Sequence, residues 1–221
     1  MPVPEVTYSN KKLQWPHEST ARLYKIIKNG KLETTVTSSS YPVNKGTFAE
    51  YQVIAVDNKG FESFASQPIP VVDMKYSQTY EVENVISKSD LGSSGYSGAG
   101  FVEVSKTKNT ELNIPVTIAA DGVYLVDFKY ANGNGPTNTE NKCAIRTLLA
   151  DGKKVGTSLF PQRGKDVWSD WGWSNAVPVY LKKGKHTITL AFKPWNENMN
   201  MEINQAMIDL MRVIETNGKL Q

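Results

Sequence analysis

The sequence predicts an all-β protein made of two consecutive β-sandwiches. Short runs of alternating apolar and polar residues recur along the chain, and glycine-containing turn signals such as Asp121-Gly122 and Asp151-Gly152 separate them. No stretch of useful length has the apolar spacing of an amphipathic helix. Strands that alternate in this way bury one face against a second sheet, and 221 residues suffice for two modest domains of this kind.

The first predicted domain covers residues 1–73. Asn29-Gly30 lies between two strand-like runs and is a strong signal for a two-residue hairpin, because both positions tolerate a positive φ. The run "EYQVIAVD" is apolar on both faces for part of its length, which is typical of a strand inside a sandwich. With Trp15 on an early strand and Tyr24 on the next, the pattern resembles a fibronectin type III domain. The resemblance implies a spacer, since such a fold by itself does not define a function.

The second predicted domain covers residues 74–221. The proline-bearing segment "SQPIPVVDMKYSQ" indicates the boundary, since prolines end strands. Beyond it the alternation restarts: Tyr124 and Phe128 share one face of "GVYLVDFKYA", and Ile188 and Leu190 share one face of "HTITLAF". This pattern predicts a second sandwich, of the jelly-roll type.

Composition and charge exclude several classes of function. The formal net charge is +3 and the basic residues are scattered, so we expect no nucleic-acid partner. The single cysteine, Cys143, excludes an internal disulfide framework, and two distant histidines poorly supply a histidine metal site or a nucleophile–histidine pair. No apolar run approaches the ~20 residues of a membrane helix, so we expect no membrane partner. The start "MPVPEVTYSN" lacks the features of a signal peptide, so a secreted parent protein would be longer than this chain.

Several motifs follow one another in the second domain. They are "YEVEN", "GYSGAGFVEV", "AADGVYLVDFKYANG", a W-x-x-W pair, "VYLKKGKHTITL" and "MIDLMRV". In this order they resemble carbohydrate-binding modules of families six and thirty-five, from Tyr76 to about Glu215. The resemblance implies a calcium-binding jelly roll with a galactose-binding-like fold, appended to an enzyme that cuts plant or microbial polysaccharides.

The stretch "VWSDWGWSN" concentrates three tryptophans, Trp168, Trp171 and Trp173, among loop-forming residues. Trp168 follows the polar, glycine-bearing "PQRGKDV", which should stand out from the sheets, where binding residues are frequent. A flat indole can stack on the apolar face of a pyranose while amides bond its hydroxyls. The resemblance implies that Trp168 is this stacking platform. For Trp171 and Trp173 two interpretations stay open, a place in the binding site and a place in the core.

The other candidate sugar-binding residues are aromatic rings and amides. The resemblance implies an opposing ring at Phe101, and nearby Tyr96 is the alternative, although it could equally be a turn residue. It also implies an amide just before the last strand, for which Asn204 or Gln205 is the nearest match. Asn132 can donate and accept hydrogen bonds as sugar hydroxyls require, or it can serve in a turn, so it is a peripheral candidate.

Three carboxylates are candidate metal ligands. Glu81 and Glu83 alternate on the first strand of the second domain, which puts them on one side roughly 7 Å apart. Asp209 lies in "AMIDLMRVI", an otherwise apolar strand, where a carboxylate is costly to bury unless it is paired or bound to a metal. Hard oxygen ligands suit calcium, and the resemblance implies a structural calcium that joins the first and last strands through these three residues. The alternative for the glutamates is an exposed edge strand.

The sequence contains no convincing catalytic constellation. A glycosidase needs two carboxylates facing each other across a cleft, whereas Glu81 with Glu83 and Asp166 with Asp170 are local pairs. We therefore interpret the chain as a non-catalytic glycan-binding fragment of a larger secreted, periplasmic or cell-surface enzyme that degrades polysaccharide. Its expected partners are an oligosaccharide or polysaccharide and the catalytic domain of the same parent chain. A protein-interaction or adhesion fragment is the competing interpretation, and an enzyme is the third.

Overall fold

The computed structural model describes residues 1–43, 48–133, 143–164, 166–197 and 204–216. In this part of the chain the regular structure consists of β-strands with three short 3-10 turns, which confirms the predicted all-β fold class. No helix among these residues is long and apolar enough to cross a membrane. The chain divides into two compact units, the first ending at Tyr76 and the second beginning at Ser77.

The first unit contains two antiparallel sheets. Its strands are β1 (Thr7–Ser9), β2 (Lys12–Gln14), β3 (Ala21–Lys28), β4 (Lys31–Val36), β5 (Ser40–Pro42), β6 (Ala49–Asp57) and β7 (Ile69–Val71). One sheet has the strand order β1-β2-β5 and the other has the order β4-β3-β6-β7. Asn29 and Gly30 form the two-residue turn of the β3–β4 hairpin, as predicted, with φ values of 49° and 76°. The ring of Trp15 packs edge-on against the ring of Tyr24 in the core of this unit. Its resemblance to fibronectin type III stays a prediction.

The second unit is a larger sandwich of two antiparallel sheets. Its strands are β8 (Ser77–Glu81), β9 (Val102–Val104), β10 (Glu111–Ile118), β11 (Gly122–Ala131), β12 (Ala144–Ala150), β13 (Lys153–Phe160), β14 (Gly172–Trp173), β15 (Val177–Leu181), β16 (Gly184–Ala191) and β17 (Ala206–Glu215). The smaller sheet has the order β10-β16-β12-β13. The larger sheet has the order β14-β11-β17-β8, with β15 also paired to β11 and β9 also paired to β17.

The main core of the second unit lies between these sheets. Leu148 of the smaller sheet and Tyr130 and Ile208 of the larger sheet belong to it. Adjacent residues of a strand point to opposite faces. Ala131 follows Tyr130, and Met207 precedes Ile208. Both therefore lie on the outer face of the larger sheet. There they form a separate apolar cluster with Phe101, against which Trp168 and Trp171 pack.

Candidate functional site

Trp168 borders a surface pocket on the outer side of the larger sheet. The pocket has a volume of about 280 Å³. It is lined by Leu91, Gly92, Ser93, Phe101, Trp168, Gln205 and Met207. The indole of Trp168 is partly exposed and rests on the outer apolar cluster. The pocket thus combines an aromatic wall, an apolar floor and the polar side chains of Ser93 and Gln205.

The loop that carries Trp168 is tied to the segment that precedes β9. The Ser93 hydroxyl donates a hydrogen bond to the backbone carbonyl of Trp168 and lies 2.9 Å from the Ser169 hydroxyl. The backbone N–H of Ser94 donates to Ser169 Oγ at 3.0 Å. These hydrogen bonds fix the position of the Trp168 loop relative to the segment that carries Ser93 and Ser94.

A glycine allows the same loop to lie against the end of β11. The backbone N–H groups of Arg163 and Asp166 donate to the carbonyls of Asn132 and Gly133, at 2.7 and 2.8 Å. A Cβ atom on Gly133 would lie 2.7 Å from the carbonyl carbon of Val167, so a larger residue would push the loop away. Backbone hydrogen bonds therefore hold the loop before Trp168 against the end of β11.

The aromatic residues predicted for the site divide between the pocket and its surroundings. Phe101 lines the floor of the pocket. It is only 2% exposed, because its ring packs against the ring of Trp171 with 5.6 Å between the ring centres. Tyr96 is 38% exposed and lies 5.3 Å from Phe101, beside the residues that line the pocket. The Trp171 indole N–H donates to the Ser94 carbonyl at 2.7 Å, so this ring supports the loop.

The structure does not bring Trp173 to the pocket. Trp173 lies on β14, which pairs with β11, and its ring stacks on the guanidinium of Arg212 with the guanidinium carbon 3.3 Å from the ring centre. Arg212 Nε in turn donates to Asp127 Oδ1 at 2.9 Å, and both charged side chains are buried. Trp173 therefore covers a buried ion pair of the sheet.

The two predicted asparagines have interior roles, and Gln205 is the amide at the pocket. Asn204 Oδ1 accepts hydrogen bonds from the backbone N–H of Ile145 and from Arg146, whose pKa burial lowers to about 10. Asn132 is buried, and its Nδ2 donates to the Phe160 carbonyl at 2.8 Å. Because adjacent residues leading into a strand point to opposite sides, Asn204 faces inward and Gln205 lines the pocket.

The three predicted metal ligands converge on the segment around Gly98. The Ser97 N–H donates to both carboxylate oxygens of Asp209 at 3.1 and 3.0 Å, and its hydroxyl lies 3.1 Å from Glu81 Oε2. The Ala99 N–H donates to Glu83 Oε1 at 2.8 Å. Gly98 has a φ of +61°, and a Cβ there would clash with Glu83 and lie 3.0 Å from Glu81 Oε2.

Local backbone geometry brings these carboxylates together. Contrary to the predicted strand alternation, β8 ends at Glu81 and Glu83 lies in the 3-10 turn Val82–Asn84. Tyr130 pairs with Ile208 and Lys129 pairs with Leu210, so Asp209 is the extra residue of a β-bulge in β17. A bulge re-aims its side chain, and Asp209 points towards the Lys129 amine at 2.6 Å.

Burial and neighbouring negative charges act on the carboxylates of this cluster. Burial raises the pKa of Glu81, and the negative charges of Asp209 and Glu83 raise it further, while the Ser97 hydroxyl acts in the opposite direction. Glu83 Oε2 is buried without a hydrogen-bond partner among the described residues. The oxygen donors match those that calcium prefers, but Lys129 already supplies one positive charge to Asp209. No group of three acidic, histidine or cysteine residues within the described ranges has the arrangement of a metal-binding cluster.

Curated relatives of the chain are transferases by name, and they are much longer. No protein-family model matches the chain. A cycloisomaltooligosaccharide glucanotransferase from Niallia circulans is 32% identical over 135 residues, which are 59% of this chain and 12% of the relative. An isomaltosyltransferase from Sporosarcina globispora is 24% identical over 119 residues, which are 54% of this chain and 10% of the relative. The chain thus spans about a tenth of the length of these relatives.

Similar solved structures include family 35 carbohydrate-binding modules. One of these modules, from an environmental isolate, is 23% identical with a TM-score of 0.47 over 64% of this chain and 94% of the module. The cycloisomaltooligosaccharide glucanotransferase of Paenibacillus sp., complexed with cycloisomaltoheptaose, is 25% identical with a TM-score of 0.46 over 61% of this chain and 18% of the enzyme. Family 35 is also one of the two families that the sequence motifs of the second unit resemble.

Proposed function

We propose that the second unit is a non-catalytic glycan-binding module and that the pocket beside Trp168 is its binding site. The observation that carries this proposal is a partly exposed indole held in a pocket beside Gln205 and Ser93. The faces of a pyranose carry C–H groups that stack on an aromatic ring, and its edge carries hydroxyls that need donors and acceptors. The pocket offers both kinds of contact, because Trp168, Ser93 and Gln205 all line it.

The expected affinity is modest. An aromatic contact contributes on the order of 1 kcal/mol beyond its buried area, and each neutral hydrogen bond contributes about as much. One ring with a few hydrogen bonds therefore supports a dissociation constant between roughly micromolar and millimolar. Such a site serves to retain a catalytic domain near its substrate.

The names of the relatives suggest the class of glycan. Two of them are named cycloisomaltooligosaccharide glucanotransferase and isomaltosyltransferase, names that both refer to isomaltose-type glycans, and the chain matches about a tenth of each. We therefore propose that this chain belongs to a larger secreted or surface-bound enzyme, in which the first unit is a spacer. Isomalto-oligosaccharides are the first ligands to test, and the catalytic domain of the parent chain is the expected neighbour.

Several described carboxylates of the second unit are engaged in local contacts outside the pocket. The residues described as lining the pocket contain no carboxyl or imidazole group. Glu81 and Asp209 are hydrogen bonded to Ser97, and Asp170 is paired with Arg163 at 3.1 Å. An opposed acid–base pair with separated pKa values, which glycoside hydrolysis requires, is not supplied by these groups.

We also propose that Glu81, Glu83 and Asp209 hold a structural calcium ion. Two observations support this proposal: Glu83 has a buried oxygen without a partner among the described residues, and burial together with the charges of Asp209 and Glu83 raises the pKa of Glu81. The ion would join the end of β8 to β17. It would stabilise the fold and would not contact the glycan, because none of the three carboxylates lines the pocket. Because the three carboxylates do not form a metal-binding cluster in this structure, binding the ion would require them to reorient and the Lys129 amine to move away from Asp209.

The binding proposal is tested by titrating the full chain with isomalto-oligosaccharides and following heat release and tryptophan fluorescence. Trp168→Ala should abolish binding at this pocket while the melting temperature stays nearly unchanged, because the ring is only partly buried. Tyr180→Ala is the matched control, since Tyr180 is an aromatic residue 62% exposed on β15 and outside the pocket. Undiminished binding by Trp168→Ala would refute the site. Failure of the unmodified chain to bind any glycan on an array would refute the function.

A further inference from the structure

Trp195 is a second surface tryptophan, remote in sequence from the Trp168 loop. It lies in the 3-10 turn Pro194–Asn196 between β16 and β17, and 63% of its surface is exposed. A single exposed apolar side chain is common on protein surfaces and indicates nothing by itself. Trp195 differs because its indole N–H donates a hydrogen bond to Thr147 Oγ1 at 2.9 Å.

The turn that carries Trp195 is fastened to the smaller sheet by buried hydrogen bonds. The Thr147 hydroxyl donates to Asn196 Oδ1 at 3.0 Å, and this same oxygen accepts the backbone N–H of Lys193 at 2.8 Å. The carbonyl of Asn196 accepts a bond from Asn204 Nδ2 at 2.9 Å. Asn196, Thr147 and Asn204 are all buried. The ring is therefore exposed and preorganised, which lowers the entropy lost when a ligand stacks on it.

The Trp195 ring lies over the face of the sandwich opposite to the Trp168 pocket. Leu148 belongs to the core between the sheets, so its neighbour Thr147 points to the outer side of the smaller sheet. Trp195 bonds Thr147 there. Trp168 packs on the outer face of the larger sheet, against Met207. The two tryptophans consequently face away from each other.

The surroundings of Trp195 suit a sugar better than a protein. The Lys154 amine lies 5.7 Å from the ring centre and can donate to a hydroxyl. Thr157 pairs with Thr147 across the strands and shares its face, and Leu159, also on that face, is 39% exposed. A stable protein interface buries about 800 Å² on each partner around an apolar centre, whereas Trp195 and Leu159 are the only large exposed apolar side chains described on this face. One pyranose ring needs no larger surface.

We propose that Trp195 and Lys154 form a second glycan-binding site on the outer face of the smaller sheet. The ring stacks on a pyranose, and the Lys154 amine bonds one of its hydroxyls. The ligand class rests on the proposed function of the Trp168 pocket, whereas the position of the site rests on its own contacts. Because the two sites face in opposite directions, one unit can hold two glycan chains, or two segments of one long chain, and gain avidity on a polysaccharide.

The test measures binding stoichiometry by calorimetry with an isomalto-oligosaccharide, using the full chain. The unmodified protein should bind two ligands, Trp168→Ala and Trp195→Ala should each bind one, and the double variant should bind none. Tyr180→Ala, an exposed aromatic outside both sites, should still bind two. Trp195→Phe retains a ring without the N–H anchor and should bind at this site more weakly than the unmodified protein. Melting curves of each variant separate lost binding from lost folding.

Each result decides between the two proposals. A stoichiometry of one that Trp168→Ala abolishes and Trp195→Ala leaves unchanged would overturn the second site and leave the first intact. A stoichiometry of one that only Trp195→Ala abolishes would refute the Trp168 pocket instead. A polysaccharide probe, dextran, adds a further readout, since loss of either ring should weaken its retention by at least tenfold if both sites act together.

Discussion

Trp168 and Trp173 lie five residues apart in one stretch of sequence and belong to different parts of the molecule. Trp168 is carried by a docked loop and borders an open pocket. Trp173 lies on a short strand and covers the buried ion pair of Arg212 with Asp127. The difference shows that the pairing of a residue with the sheet, more than its chemical type, decides whether a tryptophan is available to a ligand.

Disrupting the ion pair beneath Trp173 should have the largest effect on stability. Arg212→Met leaves the buried carboxylate of Asp127 without its partner, so the free energy of unfolding should fall by about 3 to 5 kcal/mol. Chemical denaturation measures this change. Lys193→Met is the control, because it removes an exposed ion pair with Glu111 and should cost less than about 1 kcal/mol. Equal effects of the two variants would contradict the structural role given to the Trp173 region.

Calcium removal tests whether the carboxylate cluster belongs to the fold or to the pocket. With free calcium a hundredfold above its dissociation constant, chelation should remove about 2.7 kcal/mol from the stability of the second unit. Calorimetry should show a lower melting temperature for that unit only, with the first unit as an internal reference. Glu83→Gln should make the melt insensitive to chelator. Superimposable melts with calcium and with chelator would count against the ion.

Substitutions of the neighbouring amides Gln205 and Asn204 should separate an effect on glycan affinity from an effect on stability. Gln205→Ala should weaken glycan binding by about 1 kcal/mol, roughly fivefold, and leave the melting temperature nearly unchanged, because this side chain lines the pocket. Asn204→Ala should instead lower the melting temperature, since it leaves buried donors on Ile145 and Arg146 without their acceptor. The opposite pattern, with Asn204 controlling affinity, would restore the sequence-based assignment.

The smallest effect on stability is expected from the surface ion pair of His186 with Asp151. His186 Nδ1 lies 2.7 Å from Asp151 Oδ2, and its Nε2 lies 2.8 Å from the Lys182 carbonyl, so the protonated ring can donate twice. The hydrogen bond with Asp151 raises the pKa of His186, and the same bond lowers the pKa of Asp151. The pair therefore stabilises the fold between about pH 4 and pH 6.5, where both groups are charged in either state.

That contribution is lost on either side of the window. It declines as the pH rises through the raised pKa of His186, and again as the pH falls through the lowered pKa of Asp151. An exposed pair contributes less than about 1 kcal/mol, so melting temperatures should change by only a few degrees. His186→Gln should flatten the profile above pH 6. Glycan binding at Trp168 should not follow this titration.

The local pattern of residues was sufficient to predict much of the fold. Alternation of apolar residues indicated strands, and Asn29-Gly30 indicated a hairpin, because both depend on backbone preferences within a few residues. The same reasoning singled out Trp168 from its polar, glycine-bearing loop. Turn chemistry and side-chain periodicity are properties of the chain itself, so the amino-acid sequence determines them without reference to distant contacts.

The packing of strands that are distant in sequence determines which side chains meet. The bulge at Asp209, the inward turn of Asn204 and the stacking of Trp173 on Arg212 depend on the register between strands far apart in sequence. Trp195 gave no local signal, because its anchor Thr147 lies on another strand. A one-residue change in register exchanges the two faces of a strand, so the alternation that predicts a strand cannot say which face receives a ligand.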